Sequence, residues 1–147
     1  LELKKEGSGE AIARNLLEMS RLKVPIICIV IGEGSSGGAL AIGVGDRVLM
    51  LENAVYSVLS PEGFATILWK DSSRAEEAAE IMKMTAKDLR DLNIIDKIIE
   101  EPEGGAQKEI MQMCGIVKKE ILSNLKILEK LDTNTLLQQR YDKFRAM

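Results

Sequence analysis

The sequence predicts an α/β fold, and three observations carry that expectation. Residues 26–31, IICIVI, form an apolar run with no polar alternation. That is the pattern of a strand buried on both faces. Amphipathic helical periods stand on either side of it. Two further short apolar runs, residues 46–51 and 54–59, follow a glycine-rich turn, giving the alternating order of an α/β chain. With 147 residues, 46% of them apolar, the chain can enclose one compact core.

The elements follow in order. Residues 1–10 read as a polar loop into a helix with Ser8 as N-cap. From 9 to 22 the period is helical, with Ile12, Leu16, Met19 and Leu22 on one face. Val24-Pro25 ends it, since a residue before proline disfavours the αR region. After the 26–31 strand, residues 32–38 form a turn. Residues 38–44 make one or two helical turns that approach closely because Ala39, Ala41 and Gly43 are small. Residues 46–51 and 54–59 are strands joined at Glu52-Asn53. Ser60 as N-cap and Pro61 at the first helical position start the next helix. It runs through Trp69 and breaks at residues 70–73. Residues 73–84 are a helix packed through Ala75, Ala78, Ala79 and Met82.

Thr85 caps a short helix that Asn93 stops, and residues 94–99 make a short strand. Residues 101–106 are a loop. Residues 107–131 form a long amphipathic helix with Val117, Ile121, Leu125 and Leu128 at helical spacing. Residues 132–134 punctuate it. Residues 135–145 are a last, polar helix carrying Leu136, Leu137, Tyr141 and Phe144. No internal repeat or low-complexity tract stands out. The expected division is 1–106 as the α/β domain and 107–147 as C-terminal helices that pack on it or on a partner subunit.

Composition excludes several functions. The chain has no histidine, so it holds no Ser-His-Asp triad, no His base and no His-containing zinc site. Two cysteines are too few for a disulfide framework or a Cys₄ site. The formal charge is −3 and aromatics are 3%, so neither a basic field nor a stacking platform points to nucleic acid. No apolar run approaches the roughly 20 residues of a membrane span. No signal peptide stands out, and a reducing cytoplasm is the expected location. The chain starts at Leu1 and not at methionine, which reads as a piece of a longer domain.

The glycine-rich stretch 32–45 matches three patterns. Gly32-x-Gly34-x-x-Gly37, with Glu52 after the next strand, fits a dinucleotide fingerprint. The helix behind it has room for barely two turns, which counts against that reading. Gly34-x-Ser36-x-Gly38 fits a nucleophile elbow, but the chain offers Ser36 no histidine base. In the third reading Gly37 and Gly38 present backbone N–H groups at a helix start to a developing negative charge. Glycine there allows close approach and unusual φ. Each such donor is worth about 2.7–4 kcal/mol in a barrier. The alternative is a tight strand–helix turn that needs glycine only for packing.

Three long stretches carry a resemblance. They are EAIARNLLEMSRLKVPIICIVIGEGSSGGALAIGVGDRVLML, YSVLSPEGFATILWK and LNIIDKIIEEPEGGA, and the likeness extends to the tail RYDKFRAM. The chain resembles the C-terminal half of the carboxyltransferase α subunit of bacterial acetyl-CoA carboxylases. The resemblance implies a partial crotonase-like (ClpP/crotonase) β-β-α spiral with a C-terminal helical tail. It implies transfer of a carboxyl group from carboxybiotin to acetyl-CoA, giving malonyl-CoA for fatty-acid synthesis. The biotin rides on a biotin carboxyl carrier protein that biotin carboxylase charges. It implies an α2β2 assembly with a zinc-ribbon β subunit, and no metal in this chain.

On the same resemblance, Gly37 and Gly38 form the oxyanion hole for the biotin ureido oxygen, while the β subunit holds the thioester oxygen. The biotin anion itself can take the acetyl proton, so the lack of histidine is neutral for this chemistry. Gly34, Ser35, Ser36, Ser60, Pro61, Glu62 and Gly63 are the further substrate-binding candidates. Each has a plainer role open to it. Ser36 can close its own turn, and Ser60 to Gly63 can simply cap a helix. Ser35 stands where relatives often have glycine, so its backbone need not take positive φ. Gln107 stands where histidine is common. Other acyl-CoA carboxyltransferases, a biotin-dependent decarboxylase and a non-catalytic assembly fragment remain as alternatives.

Overall fold

The computed structural model describes residues 7–147. Of the expected entry loop at residues 1–10, residues 1–6 lie outside the described residues. Three strands, β1 (Ile27–Val30), β3 (Arg47–Leu51) and β5 (Lys97–Ile99), form a parallel sheet in the order β1-β3-β5. Two more, β2 (Glu33–Ser35) and β4 (Val55–Ser57), pair in parallel as a second sheet. Successive strands therefore fall in alternate sheets, and each such pair runs into a helix. β1 and β2 lead to α2 (Ser36–Ile42), and β3 and β4 lead to α3 (Pro61–Trp69). The result is a spiral of β-β-α units, as the crotonase-like reading expects.

The remaining helices surround this spiral. α1 (Ser8–Ser20) precedes β1 and packs on α2. α4 (Ala75–Ile81) and α5 (Ala86–Asp91) lie between β4 and β5, and α6 (Ile110–Leu128) and α7 (Thr133–Arg145) form the tail. The core centres on β3, whose Val48, Leu49, Met50 and Leu51 are all buried. Cys28, Ala54, Ala86, Leu89, Ile95, Ile99 and Met113 complete it. β3 is the middle strand and is covered on both faces, so it reads as an unbroken apolar run.

Local signals placed several helix ends correctly. Ser60 accepts the Gly63 N–H at 3.2 Å with Pro61 in the first turn. Thr85 accepts from Asp88 N at 3.3 Å. Asn93 takes φ 58° and ends α5. Several expectations are corrected. Ser8 is the first helical residue of α1, and Gly7 is its N-cap without a side-chain hydrogen bond. The 32–38 turn contains strand β2, and α2 starts at Ser36 instead of Gly38. The 73–84 helix opens as a 3-10 turn, Ser72–Arg74, because Asp71 accepts from the Ser73 amide at 3.0 Å and its hydroxyl at 2.6 Å. α6 begins at Ile110, since Gly104 and Gly105 at φ 88° and 96° hold the preceding loop open. α7 begins at Thr133 because Asp132 caps it through Asn134 N and Thr135 N.

The tail is fixed to the sheet by charge. Arg140 and Asp46 are buried, at 2% and 4% exposure. Arg140 Nε and Nη2 donate to the two Asp46 carboxylate oxygens, each at 2.8 Å. Its Nη1 donates to the carbonyls of Met19, Ser20 and Leu22, and Nη2 also reaches Val24 O at 2.9 Å. Asp46 accepts from Ile26 N at 2.7 Å. The same device recurs one strand along: Asp96 accepts from Val48 N at 2.6 Å and pairs with Lys143. An aspartate before each of β3 and β5 thus ties its strand to the neighbouring strand, and α7 binds both.

Candidate active site

β1 ends at Val30, and the chain passes through Ile31 and Gly32 into β2. Gly32 O accepts the Val55 N–H at 3.1 Å, starting the pairing of β2 with β4. In that register Glu33, Gly34 and Ser35 stand opposite Val55, Tyr56 and Ser57. A Cβ on Gly34 would lie 2.9 Å from Tyr56 Cδ2 and 3.3 Å from Val30 Cγ1. Gly34, expected at the substrate, thus also has a packing reason to be glycine. Glu33 is exposed.

Ser35 is the N-cap of α2, extended at φ −138°, and makes no side-chain capping bond. The strain falls on the next residue: Ser36 takes φ 70°. Such a conformation costs a non-glycine residue about 1–3 kcal/mol, and it turns the chain sharply from strand into helix.

Gly37 and Gly38 occupy the first turn of α2. Among the described residues, positive φ at glycine occurs at Gly104 and Gly105, so the pair does not need glycine for its φ. That corrects the expectation of unusual φ at the pair. A Cβ on Gly37 would reach the Ile12 side chain of α1 at an ordinary 3.9 Å. Among the described residues, a Cβ on Gly38 would meet nothing within 4 Å. Neither backbone conformation nor packing within this chain calls for glycine at 38.

The parallel register also places the second candidate group. Ser35 and Ser57 are partners, so α2 and α3 both leave from the same end of the β2/β4 pair. Ligand sites of parallel sheets lie beyond the carboxyl ends of strands. Within this group the side chains are engaged in capping: Ser60 accepts from Gly63, and Thr66 donates to Glu62 O at 2.7 Å. The Glu62 carboxyl is held below its usual range by its own backbone N–H and by the Ser60 hydroxyl. A cleft of about 200 Å³ lies on the strand side of the turn, lined by Val30, Gly32, Glu33, Gly34, Ala39 and Tyr56 among others. Neither the glycine pair nor residues 60–63 line it.

Two residues stand out that the sequence did not single out. Tyr56 packs its ring on Gly34 and donates its hydroxyl to Ala39 O of α2 at 3.2 Å. Burial raises its pKa. Arg140 is the other. The signal for Tyr56 was a large residue directly opposite a glycine across a strand pair. For Arg140 it was the spacing Leu136, Arg140, Lys143, which puts a cation on the apolar stripe of α7. Trp69 stays partly exposed, with the Arg74 guanidinium 3.9 Å above its ring and Phe64 edge-on at 6.0 Å.

Sequence comparison decides the family. A family described as acetyl co-enzyme A carboxylase carboxyltransferase-like matches residues 1–147. The chain belongs to this carboxyltransferase family. Among its relatives, the acetyl-coenzyme A carboxylase carboxyl transferase subunit alpha of Clostridium perfringens is 63% identical over 139 residues, 95% of this chain and 51% of that protein. The "subunits beta/alpha" protein of Natranaerobius thermophilus is 62% identical over 141 residues, 96% of this chain and 23% of that protein. The chain thus spans about half the length of the curated α subunits it matches. Among solved structures, a Pseudomonas malonate decarboxylase hetero-tetramer in complex with coenzyme A superposes with TM-score 0.62 at 18% identity. That match covers 81% of this carboxyltransferase-family chain and 49% of the other. At that identity the likeness establishes the fold: a crotonase-like α/β spiral. Among the described residues no helix is long and apolar enough to cross a membrane.

Proposed function

We propose that this chain supplies the α-side half of an acetyl-CoA carboxyltransferase site, in which carboxybiotin donates its carboxyl group to acetyl-CoA to give malonyl-CoA. The observation that carries this is Gly38. A glycine without positive φ, with no neighbouring atom that would crowd a side chain, leaves the backbone at the start of α2 open to a group from outside the chain. The family and the open amides fit together. Carboxybiotin brings the activated carboxyl group, and its ureido oxygen gains negative charge as that group leaves. The N–H groups of Gly37 and Gly38 donate to that oxygen, and a donor fixed in advance costs no reorganisation when charge develops. Ser35 and Ser36 shape the turn. Residues 60–63, at the same end of the strand pair, border the approach. No side chain of this chain acts as a base in this reading.

The thioester side of the site belongs to a zinc-ribbon β subunit, in an α2β2 assembly served by biotin carboxyl carrier protein and biotin carboxylase in the cytoplasm. The relative whose name joins β and α supports the β partner. The test uses a full-length α chain carrying these residues, assembled with its β subunit. Gly38→Val is expected to lower kcat for malonyl-CoA formation about 10²–10³-fold, the loss typical of an oxyanion donor. Gly38→Ala serves as the folding control, since its methyl meets nothing in the chain. An assembled Gly38→Val enzyme with parental kcat sinks the assignment.

A further inference from the structure

α2 has seven residues, about two turns, too few to hold its own geometry in water. Something else must fix the direction of its first amides. α1 packs on it, with Ile12 facing Gly37 at ordinary van der Waals range for an added Cβ. The directional contact comes from β4. Tyr56 Oη donates to Ala39 O at 3.2 Å, while Ala39 O also accepts the Gly43 N–H at 2.9 Å. The carbonyl of the residue directly after the glycine pair is thereby held from two sides.

The ring of Tyr56 is itself held. Its backbone N–H donates to Met84 O at 3.0 Å. Its face lies so near Gly34 that a Cβ there would come within 2.9 Å of Cδ2. Gly34 is the partner of Tyr56 in the strand register. The side chain is therefore located at its base by β4, along its ring by β2 and at its tip by α2. Of these, β2 and α2 are the elements on the two sides of the glycine turn. A rotation of α2 would break the hydroxyl contact, and a shift of β2 would strike the ring.

We propose that Tyr56 is a positioning residue for the carboxyltransferase reaction: it sets the orientation of α2 and, through it, the aim of the Gly37 and Gly38 amides. The inference rests on the reading of that pair as the oxyanion hole. Tyr56 touches no reacting atom in this account. It acts through the helix, so its loss is expected to appear in turnover and not in substrate binding. Oxyanion donors act on charge that exists only in the transition state, so a misaimed donor lowers kcat while KM stays put.

The experiment measures kcat, KM for acetyl-CoA and thermal midpoint in the assembled full-length α/β enzyme. Tyr56→Phe removes the hydroxyl and keeps the ring against Gly34. Gly34→Ala keeps the hydroxyl and displaces the ring. Each is expected to lower kcat about 5–20-fold, less than removal of a donor itself. KM is expected within twofold of the parent and the thermal midpoint within a few degrees for Tyr56→Phe. Parental kcat in Tyr56→Phe overturns the positioning role. So does a kcat loss matched by a raised KM and a proportionate fall in thermal midpoint, which is what mere destabilisation gives. Gly38→Val run in parallel separates the two levels. If it is inactive while Tyr56→Phe is parental, only the positioning role falls. If Gly38→Val is fully active, both fall.

Discussion

Glycine means different things at neighbouring positions of this chain. At Gly45, a Cβ would lie 2.7 Å from Cys28 Sγ, 3.1 Å from Ile26 O and 3.3 Å from Arg47 O. Two of those atoms are backbone and cannot yield without shifting β1 against β3. Cys28 is a buried thiol, and burial raises its pKa. Gly45→Ala is therefore expected to destabilise the fold by about 1–3 kcal/mol, the cost of overpacking. At Gly38 the same methyl enters open space within a helix. There Gly→Ala is expected to stabilise by about 0.5–1 kcal/mol, since alanine loses less backbone entropy than glycine. Urea unfolding of the two variants checks the opposite signs. A destabilised Gly38→Ala would mean that the glycine is needed by the fold itself, and the case for an external ligand there would lose its support.

Elements declared by local chemistry were legible in the sequence. Ser60, Thr85 and Asn93 mark helix ends through contacts within four residues, and the structure keeps them. β3 announced itself because a doubly covered strand must be apolar. β2 did not, because EGS has no β-branched residue and becomes a strand only by pairing with β4. The β-β-α repeat was legible only through the family resemblance, since the two sheets are built from pairings 20 or more residues apart. At the site, Gly37 and Gly38 could be named from the turn, but that Gly34 serves packing needed the ring across the strand. Arg140 belongs to this hidden class. Removing it leaves Asp46 buried with, among the described residues, the Ile26 N–H, and leaves the carbonyls of Leu22 and Val24 without this donor. Arg140→Met is expected to cost about 3–5 kcal/mol, the penalty for orphaning a buried charge. Asp46→Asn combined with Arg140→Met should cost less than Arg140→Met alone, because no charge then remains buried. Chemical denaturation of both variants decides it, and a double variant no more stable than the single would refute the electrostatic account.

Over the whole molecule, the tail and the spiral share one core, and this bears on where the chain divides. The boundary expected at residue 106 falls between the last strand among the described residues, which ends at Ile99, and the two tail helices. Stability need not follow the same line. Met113 of α6 lies in the cluster built on β3. Leu128 and Leu136 are exposed by only 1% and 3%. Arg140 and Lys143 of α7 pair with the aspartates before β3 and β5. A chain cut after residue 106 would expose Met113's site on the sheet and leave Asp46 with no counter-charge at its buried carboxylate. We propose that 1–106 and 107–147 are two parts of one cooperative unit. Residues 1–147 are expected to unfold in urea in a single transition, the same by circular dichroism and by Trp69 fluorescence. Residues 1–106 alone are expected to show no cooperative transition, because the sheet loses both the apolar cover of α6 and the charges of α7. A cooperative transition in 1–106, with a denaturant slope in proportion to its size, would show that the first 106 residues fold without the tail. The ion pairs at Asp46 and Asp96 would then be fastenings on a finished domain, and not part of what finishes it.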